Sequence, residues 1–384
     1  MMMSRQLLTH CRLFDGETVS EGRAVLIEAG RIARIGMADD MPDYPDVVDL
    51  GGRLLAPGLI DLQVNGGGGV LFNDSPTLAA LQTIVSAHRR YGTTACLPTL
   101  ISDDSTTMRA GISAVAEALA GRLPAVVGIH LEGPHLNPRY RGVHDAQRLR
   151  PLNDEDLDLL CSLASGRTLV TLAPETVAAE QIRRLCDAGV IVFGGHSAAS
   201  YEETKAALAA GLSGFTHLYN AMTPLTSRAP GMVGAALDDD NSYIGIIADG
   251  HHVHPASLRI AIRAKAPGQV CLVTDAMPTV GSPDDHFVLH GAAISAIDGR
   301  CVTADGTLAG SDIGMIDAVR NVTRFGGVDR YEALRMASAY PAAALGIDDT
   351  LGYVREGYRA DLIELDDDLT VRRSWVQGEM EAFA

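Results

Sequence analysis

Two histidines, His196 and His217, each follow a short apolar run, and a stretch with helical periodicity separates them. Strand, helix, strand is the pattern of a βαβ unit, so we expect both imidazoles at the loop ends of parallel strands. That is the face where α/β folds place their chemistry. Neutral imidazole is the commonest metal ligand in proteins, so the pair indicates a metal site. Two unrelated, hydrogen-bonded histidines are the alternative, and the spacing alone does not separate the two.

A carboxylate, Glu132, ends a third apolar run. Burying a carboxylate costs desolvation energy unless the group is paired or binds a cation. A cation shared with His196 and His217 would supply that compensation, because one oxygen and two nitrogens form a recognised catalytic zinc set. The alternative for Glu132 is a structural salt bridge to Arg139 or Arg141.

Asp275 follows another apolar run, Val270–Val273. At the C-terminal end of a barrel strand, such a carboxylate is suited to carry a proton. Burial after an apolar run would raise its pKa toward the useful range. A helix-cap or turn aspartate is the alternative.

The elements that must position these residues form a regular rhythm of strand and helix. Eight apolar runs occur in the middle of the chain, at Leu54–Val64, Thr94–Leu100, Ala125–Leu131, Thr168–Leu172, Val190–Phe193, Gly214–Leu218, Tyr243–Ile247 and Val270–Val273. Helical patterns follow most of them, at Pro76–Arg90, Ser105–Ala120, Asp154–Leu163, Val177–Ala188, Tyr201–Ala210, Pro255–Ala264 and Asp312–Arg324. Eight parallel strands with crossover helices are the count of a (β/α)8 TIM barrel. A doubly wound sheet is the competitor, but Leu59–Gly69 lacks the glycine-rich phosphate loop expected after its first strand.

Both ends of the chain have short apolar runs separated by turn residues, which is typical of β structure. The dipeptide Ala29-Gly30 between two such runs predicts a hairpin. We therefore predict an α/β fold with two domains. Residues 1–55 and 350–384 would form a small β-sandwich domain, and residues 56–349 would form a (β/α)8 barrel with metal-dependent hydrolase activity.

Composition limits the function classes. The 384 residues carry a formal net charge of −17, which argues against nucleic acid or an anionic membrane as a partner. Six scattered cysteines without a C-x-x-C pair fit reduced thiols better than a disulfide framework. No apolar segment follows Met1–Ser4, so we expect no signal peptide, no membrane span and a cytoplasmic location.

Six short motifs, taken together and in order, resemble the N-acetylglucosamine-6-phosphate deacetylases of the amidohydrolase superfamily. They are Pro57–Asp61, Leu131–Pro134, Gly194–Ser197, Thr216–Met222, Ala248–His252 and Leu272–Asp275. The match runs over nearly the whole chain, including the split β domain. It implies hydrolysis of the acetamide of N-acetyl-D-glucosamine 6-phosphate to D-glucosamine 6-phosphate and acetate, a reaction of amino-sugar catabolism and cell-wall sugar recycling.

The resemblance also implies a role for each site residue. Glu132, His196 and His217 would bind one divalent metal ion, and Asp275 would act as general base and then as general acid. Substrate contacts would come from Val143, His144, Asn220, Ala221, Arg228, His252, Leu308, Ala309, Gly310 and Ser311. Two further histidines, His251 and His254, flank His252, and only the motif alignment selects among the three.

One departure from the wider superfamily concerns the metal count. Many amidohydrolases carry His-x-His after the first strand and bind two metals, whereas this chain has Gln63 and Asn65 there. Neutral amides are poor ligands for a second transition metal, which predicts the single-metal form. Zinc is the expected ion, with Fe(II), Co and Mn as alternatives. The family resemblance further implies a homodimer with the phosphate site near the interface.

Three other functions stay open at this stage. A related deacetylase could act on the galactosamine epimer, since one hydroxyl contact separates the two sugars. Another amidohydrolase, dihydroorotase-like or dipeptidase-like, would normally have His-x-His and often a metal-bridging lysine, but Lys205 and Lys265 lie in predicted helices. A non-catalytic binding barrel would have no need of the complete set of site residues.

Overall fold

The structure, a computed structural model, describes residues 5–41 and 44–383, so the outermost residues of the predicted terminal domain lie outside it. Strands from both ends of the chain form one eight-stranded sheet. Its strands are Arg5–Phe14, Val19–Glu28, Arg31–Met37, Val47–Asp49, Leu54–Pro57, Leu362–Leu365, Val371–Val376 and Glu379–Ala382. The ends meet where Leu362–Leu365 pairs antiparallel with Leu54–Pro57. The predicted hairpin at Ala29-Gly30 is also present, while the domain boundaries themselves stay a prediction.

The eight middle runs form a parallel sheet whose strands follow one another in chain order. We number them one to eight: Leu59–Val64, Thr93–Ile101, Gly128–Glu132, Arg167–Leu172, Ile191–Gly194, Gly214–Phe215, Tyr243–Ile247 and Val270–Val273. A parallel bridge between Val64 and Ala276 brings the first and eighth strands together. The structure therefore confirms a TIM-like barrel, with an additional β-sheet built from both chain ends.

Helices surround the barrel, and all seven predicted helical patterns contain one. In the described residues the α-helices are Leu78–Arg89, Ser105–Glu117, Asp154–Leu160, Ala179–Asp187, Tyr201–Ala209, Gly231–Asp238, Pro255–Ala264, Met315–Asn321, Arg330–Met336 and Ala339–Ala344. The sequence analysis did not identify Gly231–Asp238, Arg330–Met336 or Ala339–Ala344. These helices are short, and Gly231–Asp238 is buried at every residue but one, so it shows no alternation of apolar and polar faces.

A four-stranded antiparallel sheet lies between the eighth strand and the helix Met315–Asn321, in a segment where the sequence predicted substrate contacts but no strands. Its strands are His286–Leu289, Ala292–Ile297, Arg300–Thr303 and Leu308–Ser311. A bridge from Ser311 to Ala276 joins this sheet to the end of the barrel. We call it the cover sheet. A two-stranded ribbon, Gly66–Gly67 with Val70–Leu71, follows the first barrel strand.

Trp375 anchors the C-terminal strands to the N-terminal ones. Its side chain is fully buried, and its indole nitrogen donates a hydrogen bond to Gln6 Oε1 at 2.6 Å. We expect Trp375→Ala to lower the free energy of unfolding by about 3–5 kcal/mol, because it leaves a cavity and an unpaired amide. Urea unfolding measures the loss. Met380→Ala is the matched control, since Met380 pairs with Trp375 across the strands but is 44% exposed. An equal loss in both variants would contradict the anchoring role.

In the described part of the chain, no helix is both long enough and apolar enough to span a bilayer.

Candidate active site and metal centre

Four of the predicted residues lie at equivalent places on the barrel. Glu132 is the last residue of strand three. His196, His217 and Asp275 each stand two residues beyond the end of strands five, six and eight. These three residues have positive φ angles of 48°, 34° and 52°. Left-handed backbone is unfavourable for residues with a side chain, and such strain concentrates at functional sites. This backbone conformation is common to His196, His217 and Asp275. Together with Glu132, these residues line one hollow at the ends of four strands.

Glu132, His196 and His217 converge closely enough to share one ion. Glu132 Oε1 lies 3.1 Å from His196 Nε2 and 2.9 Å from His217 Nε2, and the two imidazole nitrogens are 3.0 Å apart. All three side chains are buried. Zinc binds such donors at about 2 Å in a tetrahedral arrangement, which requires ligand atoms at this kind of separation. This donor set therefore fits one divalent cation.

Neighbouring groups orient the three ligand side chains. His196 Nδ1 lies 2.8 Å from the carbonyl oxygen of Tyr140, so it carries the proton and leaves Nε2 free as a ligand atom. Burial acts to raise the pKa of Glu132. Its contacts with His196 and His217 outweigh burial and hold that pKa well below its usual range. Glu132 is therefore ionised at neutral pH, as a metal ligand must be.

The structural alternatives for the metal ligands do not fit this geometry. Arg141 donates to the carbonyl oxygen of His144 instead of pairing with Glu132. The only lysines in the sequence, Lys205 and Lys265, both contact Asp239. Neither lysine is among the residues that line the hollow around Glu132, His196 and His217. A lysine-bridged pair of metals is therefore incompatible with this site.

Asp275 lies beside the metal ligands and is half-buried at the site. Burial raises the pKa of Asp275 to about 6, and the negative charge of Glu132 adds to the effect. A carboxyl group with such a pKa exchanges protons readily near neutral pH, which suits general acid–base catalysis. The helix-cap alternative does not apply, because the next helix begins only at Met315.

A cavity of about 380 Å³ opens onto these four residues. A volume of this size accommodates a small-molecule ligand. Most of the predicted substrate residues line it: Val143, His144, Asn220, Ala221, His252, Leu308, Ala309 and Gly310. Leu308–Gly310 of the cover sheet form one wall of the cavity. These residues lie within a strand, so this wall is not a free loop.

Two predicted substrate residues do not line this cavity. Ser311 is fully buried, and its hydroxyl donates to the carbonyl oxygen of Thr274 at 2.6 Å. Arg228 is exposed and lines a separate cleft with Ser200 and Tyr201. Ser311 therefore supports the backbone next to Asp275, whereas Arg228 points away from the cavity of its own chain.

His144 has a defined tautomer. Its Nδ1 lies 3.2 Å from the backbone nitrogen of Ser102 and 2.7 Å from the hydroxyl of Ser102. A backbone N–H can only donate, so Nδ1 accepts and the proton resides on Nε2. Burial and the neighbouring His196 hold the pKa of His144 well below its usual range. His144 is thus a neutral hydrogen-bond donor at the cavity wall.

His252 is oriented by a residue to which the sequence analysis gave no role. Asp249 Oδ2 lies 2.6 Å from His252 Nδ1. The other oxygen of Asp249 accepts the backbone N–H groups of His251 and His252 at 2.8 Å. Among the three neighbouring histidines, only His252 lines the cavity. His251 contacts the carbonyl oxygen of Asp298, and His254 accepts the N–H of Ala256 at the start of a helix.

Other cavity residues carried no signal in the sequence. Ile101, Gly142, Met277, Gly306 and Thr307 also line it. Apolar residues and glycines at these positions look like ordinary core or turn residues, so only the fold reveals them. Asp249 and His252 are three residues apart and hydrogen-bonded, a spacing that could have indicated a carboxylate orienting an imidazole.

A (β/α)8 barrel with one buried Glu-His-His cluster beside an aspartate defines the class of metal-dependent barrel hydrolases. Residues 54–381 match the model of the Amidohydrolase family, and the chain belongs to this family.

The relatives and a solved structure agree with the predicted resemblance. The chain is 45% identical over 374 residues to the N-acetylgalactosamine-6-phosphate deacetylase of Shewanella sp. (strain ANA-3), covering 97% of this chain and 92% of that protein. It is 36% identical over 358 residues to the N-acetylglucosamine-6-phosphate deacetylase of Haemophilus influenzae, covering 92% and 93%. The crystal structure of N-acetylglucosamine-6-phosphate deacetylase from Pasteurella multocida superimposes with a TM-score of 0.95 at 36% identity, covering 99% and 100%.

Proposed function

We propose that this protein hydrolyses the acetamide of N-acetyl-D-glucosamine 6-phosphate, giving D-glucosamine 6-phosphate and acetate in amino-sugar catabolism. The observation that carries the proposal is the cluster of Glu132, His196 and His217 beside Asp275 in one cavity. The names of the related deacetylases supply the substrate class. Amide hydrolysis needs a nucleophile, a proton carrier and stabilisation of the developing oxyanion, and the cavity holds residues suited to each.

The metal ligands and Asp275 divide the first two tasks. A divalent ion held by Glu132, His196 and His217 supplies Lewis acidity, which makes water a nucleophile near neutral pH. Asp275 takes the proton of the attacking water and returns it to the amine nitrogen as the C–N bond breaks. Its buried carboxyl has a raised pKa of about 6, so the same group can act as base and then as acid.

His144 is suited to the carbonyl end of the acetamide. Its Nε2–H is the free donor, because Ser102 occupies Nδ1. A donor already fixed in a buried wall needs no reorganisation when negative charge develops on the substrate oxygen. Since its pKa is held well below the usual range, His144 stays a neutral donor and does not compete with Asp275 for the proton.

The 6-phosphate is assigned to the wall formed by Asn220, Ala221 and His252. Binding energy from a phosphate remote from the reacting carbonyl orients the amide. Asp249 orients His252 through a hydrogen bond at 2.6 Å. Burial acts to raise the pKa of Asp249, but the hydrogen bond from His252 outweighs burial and lowers it. An imidazole fixed in this way by an ionised aspartate is suited to contact a phosphate at the cavity wall.

Asp249→Asn is expected to raise KM for the phosphorylated sugar about 10-fold and to change kcat by less than about threefold. The substitution keeps the shape of the side chain but removes the carboxylate that orients His252. Steady-state acetate release measures both constants. The control is the unphosphorylated sugar, whose kcat/KM should not respond to the change. An equal loss with both sugars would contradict the assignment of this wall to the phosphate.

The galactosamine epimer is the second candidate substrate. Relatives at 45% and 39% identity are named N-acetylgalactosamine-6-phosphate deacetylases, whereas relatives named for the glucosamine epimer are 35% to 37% identical. A dihydroorotase-like or dipeptidase-like reaction is less compatible with a site that has amides in place of His-x-His and no lysine in the cluster.

Acetate release from three compounds tests the proposal. The purified protein is incubated with N-acetylglucosamine 6-phosphate, with N-acetylgalactosamine 6-phosphate and with unphosphorylated N-acetylglucosamine, each with and without a chelator. We expect chelator-sensitive release from the first compound and much slower release from the third. Faster release from the second would favour the epimer. Absence of acetate from all three would contradict deacetylase activity and favour a binding barrel.

We further propose zinc as the bound ion, a homodimer and a cytoplasmic location. Zinc is supported by the Glu-His-His donor set, although Fe(II), Co and Mn accept the same ligands. Arg228 supports the dimer, because an exposed guanidinium outside its own cavity is available to the phosphate site of a second chain. The net charge of −17 and the scattered cysteines support a cytoplasmic protein that binds neither nucleic acid nor membranes.

A further inference from the structure

Two neutral amides contact the proposed proton carrier where the first and eighth barrel strands meet. Asn65 Nδ2 donates to Asp275 Oδ1 at 2.7 Å. Gln63 Nε2 donates to the same oxygen at 3.0 Å and to Glu132 Oε2 at 3.1 Å. An amide nitrogen carries two hydrogens, so the single nitrogen of Gln63 joins two carboxylates.

Each amide is held in one orientation. Gln63 and Asn65 are 1% and 2% exposed, and their side-chain oxygens have no hydrogen-bond partner among the described residues. Leaving a buried oxygen unpaired is unfavourable. Turning either amide over would place its oxygen against a carboxylate oxygen, which is worse. The orientation is therefore set by the carboxylates, and buried unpaired atoms of this kind call for a functional explanation.

The backbone reinforces the same contacts. Asp275 donates its N–H to the carbonyl oxygen of Gln63 at 3.0 Å, and Asn65 donates its N–H to Ala276 at 3.0 Å. The residue before Asp275 is also held: the hydroxyl of Thr274 donates a hydrogen bond to the buried Asp61 at 2.5 Å. The backbones of Gln63 and Asn65 are thus hydrogen-bonded to the segment that presents Asp275.

We propose that Gln63 and Asn65 are positioning residues for hydrolysis. They hold Oδ1 of Asp275 with two donors, which leaves Oδ2 as the oxygen that takes and returns the proton. The inference rests on the proposed deacetylase function. It also predicts that Gln63 affects metal binding and Asn65 does not, because only Gln63 donates a hydrogen bond to the metal ligand Glu132.

The test compares Asn65→Leu with Gln63→Met. For both variants we expect kcat to fall about 10- to 100-fold with little change in KM. Zinc affinity, measured by competition with a chelator in the absence of substrate, should fall about 10-fold for Gln63→Met and stay unchanged for Asn65→Leu. Gln6→Met is the matched control, since Gln6 is a buried amide bonded to Trp375 in the terminal sheet. It should lose stability but keep wild-type kcat and zinc affinity.

Asn65→Asp is the second variant, because it keeps the shape of the side chain but replaces the neutral amide by a second carboxyl group, which competes with Asp275 for a proton. It should lose at least as much kcat as Asn65→Leu. Wild-type kcat in Asn65→Asp, or equal zinc affinity in Asn65→Leu and Gln63→Met, would overturn the proposal. If the wild-type protein releases no acetate, the proposed function fails, and the difference in zinc affinity between the variants still decides whether the amides act as described.

Discussion

Asp275→Asn is expected to reduce acetate release about 100- to 10,000-fold, which is the usual contribution of a positioned proton carrier. Asparagine keeps the shape of the side chain but can neither take a proton from water nor return one to the amine. Because Asp275 is not among the three clustered metal ligands, the variant should retain one bound ion. Turnover with saturating substrate and metal content by mass spectrometry measure the two properties.

Asp285→Asn is the control for this variant. It makes the same chemical change in the segment just before the cover sheet, at a side chain that is 88% exposed. We expect wild-type turnover from it. Near-normal turnover in Asp275→Asn would show that another group carries the proton.

The pH dependence of turnover follows from the same residue. Burial raises the pKa of Asp275 to about 6, and a bound cation nearby would lower it because a cation favours the charged form. The base is active when deprotonated. Activity should therefore fall as the pH drops through about 6 or below, and a pH profile of kcat measures this limb.

Removal of a metal ligand is expected to abolish both metal binding and turnover. His196 and His217 supply two of the three ligand atoms, so His196→Asn or His217→Asn leaves too few strong donors to retain an ion. We expect turnover to fall at least about 1,000-fold in each variant, since the nucleophile is no longer activated. Added zinc should restore activity to the chelator-treated wild type but not to the variants.

The control for the ligand variants is His135→Asn. The side chain of His135 is also buried, but it faces Asp156 and does not belong to the ligand cluster. This variant can lose stability, yet it should keep one metal ion per chain. Loss of the ion from His135→Asn as well would show that general destabilisation, not ligand removal, explains the result.

Much of the fold was predictable because its signals are local. Eight apolar runs with turn residues between them give eight strands, and each predicted helical pattern contains a helix. The pairing of the two chain ends was predictable from their shared β texture. The cover sheet was not, since its strands are short and much of Ala292–Ile297 is exposed, so no apolar alternation marks them.

The candidate site also has residues that the sequence predicts and contacts that only the fold reveals. Residues at strand ends, such as Glu132 and His217, could be predicted because parallel strands all end at one face of a barrel. The contacts of Gln63 and Asn65 could not, because they depend on how the first and eighth strands meet across more than two hundred residues of chain. The position of Ser311 outside the cavity lining could not be predicted either, because a motif gives the order of residues, whereas packing determines which side chain faces the cavity.

The most direct test of the account is the position of the metal. A crystal of the protein loaded with zinc is measured at the zinc absorption edge, and an anomalous difference map locates the ion. The account predicts one peak per chain, in contact with Glu132 Oε1, His196 Nε2 and His217 Nε2. A chain without a peak there, or with its only peak beside Gln63 and Asn65, would contradict it.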